Sequence, residues 1–412
     1  MKTNFGIGCV LVGMILPCMA EVDAEASRRA WSSLAKWAKA PQGLLGEQVF
    51  AAVALTKEDA GRAADVLAAA RTERLKVERA GEMKNKLVEI GGKKMRFEWK
   101  RYGSEPAEGR ALIFSMHGGG GAPPAVNDSQ WKNQIALGEG YQPKNAVYVA
   151  PRAPSDSWNL WHEGHIDDFF DRLTENFAAL EGIDTDRVYF MGYSAGGDGV
   201  YQLAPRMADR LAGAAMSAGH PNEAQPWGLR NIAFALHMGA NDGAYKRNDV
   251  AAAWGERLKK LKEEDPGGYE HQVELHEGKG HWMGMEDKVA VKWMQGFSRK
   301  RFPERVVWFQ DDRTHERSYW LAVPEGAAAK GQHVVVRREG QTVVIEKAEG
   351  VPTLLVRFND SMVDMDQPVK VVMGEKVLFE GLVERTAGVV AKTLEERGDR
   401  KVVYFGEVGV RL

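Results

Sequence analysis

Residues 188–206 leave this chain few ways to fold. An apolar run at 188–191 leads straight into Gly192-Tyr193-Ser194-Ala195-Gly196, and a helix-like stretch follows. A strand that turns this sharply into a helix strains the backbone at the serine, and side chains at the flanking positions would collide. Gly192 and Gly196 meet that need, and the turn would leave the Ser194 hydroxyl exposed above a sheet. The following helix would aim its N-terminal dipole at that hydroxyl.

The surrounding sequence supplies such a sheet. Between 87 and 302, apolar runs at 95–102, 111–116, 146–150, 188–191, 213–217, 233–238 and 271–275 alternate with helix-like stretches at 166–180, 198–210, 249–262 and 286–297. Apolar strands separated by helices predict a mainly parallel sheet covered on both faces. After Pro303 the helices largely stop. Segments 306–309, 318–323, 333–338, 342–346, 353–358, 369–372, 376–379 and 402–405 alternate as strands, and only 392–397 reads as a short helix. A small C-terminal all-β, sandwich-like domain over 303–412 is expected. Residues 24–86 read as helical, with Trp31, Leu34, Trp37 and Ala38 at helical spacing and breaks at Pro41, Gly43 and Gly46. The plan is then a helical N-terminal extension (21–86) packed on an α/β catalytic domain (87–302), followed by the β domain.

A chain of 412 residues is too long for one ordinary core, in keeping with that plan. The formal net charge of −2 gives no broad basic field, so nucleic acid is not an expected partner. Residues 1–20 read as a secretory signal: Lys2, an apolar run at 5–16, then Pro17-Cys18-Met19-Ala20 ahead of Glu21. Cleavage near Ala20 and export, periplasmic or secreted, are expected. No stretch reaches the ~20 apolar residues of a membrane helix, so no membrane span is expected. Both cysteines, Cys9 and Cys18, lie in the signal, which excludes a thiol nucleophile, a zinc–thiolate site and a disulfide from the mature chain. Nothing in the sequence sets an oligomeric state.

A serine hydroxyl is a poor nucleophile until a base takes its proton, so a histidine and an orienting acid are needed. In a parallel sheet they belong just after later strands. The turn Gly239-Ala240-Asn241-Asp242-Gly243 follows the run at 233–238 and makes Asp242 the acid, with Asp249 in reserve as an alternative helix cap. The run at 271–275 leads into Glu277-Gly278-Lys279-Gly280-His281-Trp282, which makes His281 the base and leaves His276 as a structural histidine. An oxyanion hole needs backbone N–H groups aimed at the oxygen that becomes negative. Ala195 supplies one; the second falls in His117-Gly118-Gly119-Gly120-Gly121, with Gly119 preferred and Gly118 or Gly120 as alternatives. His117 reads as a stabiliser of that loop.

Other clusters are read more plainly. Asn127-Asp128-Ser129-Gln130-Trp131 and Trp158-Asn159-Leu160-Trp161-His162 fall in loops on the face where ligands bind in such folds. Their tryptophans could stack on a sugar or aryl group, or pack the loops down. Trp158, Trp161, Tyr193 and Trp282 are the substrate-binding candidates. Asp167 and Asp168 read as a helix start, Glu263, Glu264 and Asp265 as a solvated face, and Asp184 and Asp186 as shapers of the turn before Val188. No His/Asp/Glu spacing suggests a metal site.

On His117–Gly121, Gly192–Gly197, Asp242, His281 and the phrase Ile183-Asp184-Thr185-Asp186-Arg187-Val188-Tyr189, the chain resembles the α/β-hydrolase superfamily over about 95–302. Its branch looks like the exported esterases akin to poly(3-hydroxybutyrate) depolymerases and carbohydrate esterase family 1 feruloyl or acetyl esterases. The sequence departs from the polymer depolymerases in its missing mature disulfide and its glycine tetrad. The resemblance implies an α/β-hydrolase fold, a Ser194–Asp242–His281 triad, no cofactor, and a small-molecule or polysaccharide ester as substrate. Two other readings stand beside it: a serine peptidase using the same triad, and a non-catalytic protein that binds a glycan or another protein. The N-terminal part carries no propeller-like repeats of the kind that gate related oligopeptidases.

Overall fold

The computed structural model describes residues 22–39 and 43–412, so the secretory signal and Pro41 lie outside the described residues. Two helices open the chain, α1 (Ala24–Lys39) and α2 (Lys57–Asn85). The sheet region runs β1 (Leu87–Ile90), β2 (Lys93–Tyr102), β3 (Ala111–Met116), α3 (Pro124–Tyr141), β4 (Ala146–Arg152), α4 (Ile166–Glu181), β5 (Val188–Tyr193) and α5 (Ala195–Arg206). It continues through β6 (Gly213–Ser217), β7 (Ala233–Gly239), α6 (Arg247–Glu264), β8 (His271–His276) and α7 (Val289–Met294). The strands form one eight-stranded sheet in the order β1-β2-β4-β3-β5-β6-β7-β8. All pairs from β4 to β8 are parallel, while β1 and β2 join antiparallel at one edge. This is the α/β-hydrolase arrangement. Strands β3 to β7 are buried at every position, which is why they read as unbroken apolar runs.

One helix was hidden in the sequence. Residues 127–131, expected in a loop, lie in α3. Pro124 sits in its first turn, where the missing N–H costs nothing, and Gly138 and Gly140 disguise its end.

The C-terminal region contains β9 (Arg305–Phe309), β10 (Arg317–Ser318), β11 (Leu321–Ala322), β12 (His333–Glu339), β13 (Thr342–Glu349), β14 (Thr353–Phe358), β15 (Val369–Met373), β16 (Lys376–Gly381), α8 (Ala387–Arg397) and β17 (Gly406–Arg411). They build two sheets, β10-β11-β14-β17 and β16-β15-β13-β12-β9. Pairing is antiparallel except between β13 and β15. The expected strand at 318–323 is broken: Tyr319 takes a left-handed φ of 51°, and its hydroxyl and N–H bond Ala208 and Asp209 of the α/β region. The expected strand at 402–405 is not one. Its apolar residues are buried as packing, and the ladder opposite β14 begins at Gly406.

The apolar core runs without a break from the N-terminal helices through the α/β sheet into the β sheets. Helix α2 presents Ala60, Ala63, Ala64, Leu67, Arg71 and Leu75 at helical spacing and packs against α1, α4 and α8. Arg71 joins three helices at once, reaching Glu175 of α4 (3.0 Å) and Glu395 of α8 (3.4 Å). The junction with the β sheets is closed by buried ion pairs. Arg397 pairs with Asp209, Arg299 with Asp186 (3.0 Å) and Asp399 (2.6 Å), and Asp167 with Arg206 (2.5 Å) and His315 (2.7 Å). Asp167 therefore does more than start α4. Asp265 too is no solvated residue, since it binds Arg230 (2.6 Å) and Arg305 (2.7 Å).

Burial by itself would raise the carboxyls of Asp167, Asp186 and Asp209; the surrounding cations outweigh it and hold all three below the usual range. Removing one partner strands the others. Asp209→Ala should cost about 3–5 kcal/mol in urea unfolding at pH 7, because buried Arg397 loses its counter-charge, while Arg210 keeps Asp171 (2.7 Å). Asp209 ionises more readily folded than unfolded, so its contribution is complete above about pH 4 and is lost as pH falls. The gap between parent and variant should shrink accordingly in acid. A gap that stays constant to about pH 3 would contradict this account.

Candidate active site

Three loops at the C-terminal ends of parallel strands bring the site together. Ser194 follows β5 with φ 58° and ψ −123°, a conformation that non-glycine residues rarely hold. Its N–H donates to Ser217 (2.9 Å), and its carbonyl accepts the N–H of Asp198 (3.0 Å). The turn closes so tightly that a Cβ on Gly192 would lie 2.2 Å from the carbonyl oxygen of Gly196. One on Gly196 would lie 2.1 Å from that of Met116.

His281 places Nε2 2.9 Å from Ser194 Oγ and Nδ1 2.7 Å from Asp242 Oδ2. The Asp242 carboxylate is buried, with Arg247 3.8 Å from its other oxygen. The carboxylate accepts a hydrogen bond from Nδ1–H, which leaves the Nε2 lone pair facing the serine hydroxyl. Asp249 stands in the first turn of α6, and Asp242 is the acid that meets the imidazole.

The glycine loop passes beside the serine: a Cβ on Gly118 would be 3.2 Å from the Ser194 Cβ. Gly120 is spent as a donor, since its N–H bonds Asn127 Oδ1 (2.9 Å). Among the described residues, the N–H groups of Gly119 and Ala195 meet no acceptor. Gly119 has a φ of 109°, and a Cβ there would fall 2.1 Å from Asn127 Oδ1. His117 underpins this loop. Nδ1 donates to the Gly118 carbonyl (2.6 Å), and Nε2 accepts the Ala153 N–H (3.2 Å). Burial pushes its pKa down to about 4, so the ring is neutral.

Two of the substrate-binding candidates are placed elsewhere. Trp161 has no exposed surface; its indole N–H is bonded to the His117 carbonyl (2.8 Å), and it packs the loop from behind. Tyr193 is buried as well. Its hydroxyl donates to the His281 carbonyl (2.7 Å) and accepts the Met283 N–H (2.9 Å). Each has a polar atom that burial obliges to find a partner, and each found backbone. Trp158 and Trp282 are exposed to 55% each. Tyr245, which sequence reasoning missed, is 64% exposed and stands edge-on to Trp158 at 5.7 Å. The signal for it was an aromatic residue three positions past the acid. Among the described residues, these three are the exposed aromatic side chains. The loops bearing Trp158 and Tyr245 follow β4 and β7, so they meet across the ends of β3, β5 and β6.

No protein-family model and no curated protein matches the chain. Among solved structures it is similar to a thermostable esterase at 17% identity and a TM-score of 0.39, over 52% of this chain and 62% of that one. It thus spans less than two thirds of that esterase. It is also similar to LpqC, a poly(3-hydroxybutyrate) depolymerase from Bordetella parapertussis (15% identity, TM-score 0.40, 56% of this chain and 96% of that one). A carboxylesterase from Mesorhizobium loti matches at 19% identity and a TM-score of 0.36, over 51% of this chain and 99% of that one.

Asp198, in the first turn of α5 and four residues past Ser194, is a carboxyl that burial disturbs strongly. Desolvation raises its pKa from 3.8 to about 6, against the opposing bond from the His220 N–H (2.6 Å) and the charge of Arg247. The folded chain therefore holds this proton more tightly than the unfolded chain, and stability falls as pH rises between those two values. Asp198→Asn keeps the acceptor and abolishes the titration. Its stability relative to the parent should rise from about pH 4 and level off above about pH 6, with a total gain of up to roughly 3 kcal/mol. Urea unfolding at the two ends of that window measures it; equal differences at both ends would refute the assignment.

Proposed function

We propose that this chain is an exported serine hydrolase that cleaves carboxylic esters, acyl groups on polysaccharide among them, with Ser194 as nucleophile, His281 as base and Asp242 as the orienting acid. The observation that carries the reading is the hydrogen-bonded line from Ser194 Oγ through His281 to a buried Asp242. It lies beside two backbone N–H groups, on Gly119 and Ala195, that have nothing else to bind.

The chemistry follows from that arrangement. His281 Nε2 accepts the Ser194 proton as Oγ attacks the carbonyl carbon. Asp242 holds the ring in the productive tautomer and offsets the charge that forms on it. The carbonyl oxygen becomes an oxyanion held by Gly119 and Ala195. Collapse breaks the ester C–O bond, and the alkoxide leaves with the proton from Nε2. Water then repeats the steps on the acyl-enzyme, releasing the acid and restoring Ser194. No cofactor enters the scheme.

Trp158, Tyr245 and Trp282 support a substrate with a flat apolar face, such as a sugar or an aryl ring. Export rests on residues 1–20.

A fluorophosphonate probe should label the native protein and leave Ser194→Ala unlabelled, with acetyl, feruloyl and short-chain aryl esters hydrolysed in preference to peptide amides. Labelling of both proteins, or of neither, would overturn the proposal. Gly119→Ala should lower kcat by roughly 10²–10³ with KM little changed, because the donor is used in the transition state. Steady-state kinetics on an aryl acetate reads this out, and a variant as fast as the parent would move the second donor away from Gly119.

A further inference from the structure

Three side chains that ester hydrolysis does not use converge on one face of β7 and β8. His237 lies near the end of β7, directly opposite Glu274 in the parallel register. His276 is two residues further along β8, so it shares the face of Glu274. Each residue offers one ligand atom, and the three atoms lie within 4.8 Å of one another. His237 Nδ1 and His276 Nε2 face each other at 3.0 Å, and the two rings lie nearly parallel, 25° apart. Both histidines are buried.

We propose that His237, Glu274 and His276 bind one divalent transition-metal ion of the zinc class, with water completing the coordination. The inference is independent of the hydrolase reading. Two imidazoles and a carboxylate are the donor set that zinc accepts at a three-residue site, and nitrogens about 2.0–2.1 Å from a tetrahedral ion stand about 3.3 Å apart, so the pair at 3.0 Å need open by only a few tenths of an ångström. Two ring nitrogens face to face can share only one proton, whereas a cation set off the line between them, about 2 Å from each, takes both lone pairs.

The surroundings match those of a metal site as well. His276 turns its other nitrogen, Nδ1, to Glu286 Oε2 (3.1 Å), and Lys279 holds the second oxygen of Glu286 (2.8 Å). Such carboxylate backing fixes the tautomer that presents Nε2. Gln272 donates to Glu274 Oε1 (2.6 Å) and leaves the other oxygen of that carboxylate for the ion. His237 Nε2 is buried without a partner whichever nitrogen carries the proton, so ligation through Nδ1 creates no new unpaired atom. The site ties β7 to β8. Through Glu286 and Lys279 it also reaches the segment that carries His281, which gives the ion a positioning role rather than a share in the chemistry.

The test uses the mature protein without an affinity tag, dialysed against a chelator and titrated with zinc chloride by calorimetry, with elemental analysis of the dialysed complex. One ion per chain is expected, together with a rise in Tm on zinc addition. Cobalt(II) should give visible absorption bands of a four-coordinate site. Glu274→Gln, a partly exposed position that leaves the core intact, and His276→Gln should each weaken zinc binding at least tenfold. Glu286→Gln should weaken it by about tenfold through the loss of backing. No heat and no retained zinc in the parent would overturn the proposal. So would Glu274→Gln binding zinc as tightly as the parent. Fluorophosphonate labelling of the same samples reports on Ser194 separately, so either reading can fail alone.

Discussion

The backbone at Ser194 is the constraint from which the rest of the site follows. A serine held at φ 58° is unfavourable by itself and persists only where the surroundings over-determine it. Here they do. The serine N–H is tied to Ser217 on the neighbouring strand, and the carbonyls of Gly196 and Met116 occupy the space where side chains on Gly192 and Gly196 would stand. The strained turn sets Ser194 at the end of β5 and starts α5 at Ala195. In the proposed reading, nucleophile and oxyanion donor are both products of one backbone feature, and the His281 and glycine loops need only approach it.

Those loops are held by groups well behind the reacting atoms. The glycine loop rests on neutral His117, whose carbonyl is in turn capped by the Trp161 indole. The His281 loop is pinned by the Tyr193 hydroxyl, which bonds two of its backbone groups at once. Further out, the α/β region is bound to the β sheets by Asp167 through His315, by Arg299 through Asp399 and by Asp209 through Arg397, with α2 laid over the seam. Taking charges out of water is expensive, so such a junction is stable only when every partner is present. The N-terminal helices and β sheets therefore share in the stability of the fold that carries the site.

The sequence made the three residues of the candidate triad legible as neighbours because each sits at a position with a local signature. Ser194 has its glycines, and Asp242 and His281 stand in turns directly after apolar runs. The strand at 353–358 was legible to the residue for a similar reason, being an alternating run between clear turn signals. What escaped was decided by contacts distant in sequence. Trp161 and Tyr193 looked like site aromatics, but their polar atoms had buried backbone to satisfy, and nothing in their neighbours says so. Tyr245 was overlooked because its relevance depends on Trp158, which lies on another loop. The run at 402–405 has the composition of a strand, yet it spends its apolar residues on packing while the next six pair with β14.

His237 and Glu274 were invisible in the same sense, and they show how far the parallel sheet shapes this protein. His237 and His276, 39 apart in sequence, become neighbours because β7 and β8 run side by side in register, and one face of that pair carries both. The ends of the same two strands deliver Asp242 and His281 to the serine. A parallel sheet lines up the C-terminal ends of its strands. Side chains gathered there from separate strands share a rigid frame, with error limited by the ladder rather than by loop flexibility. The 2.7 Å contact between His281 and Asp242 is therefore set by the same register that brings His237 and His276 to 3.0 Å. A change that slipped β8 by one residue against β7 would turn its side chains to the other face and lose both pairs together.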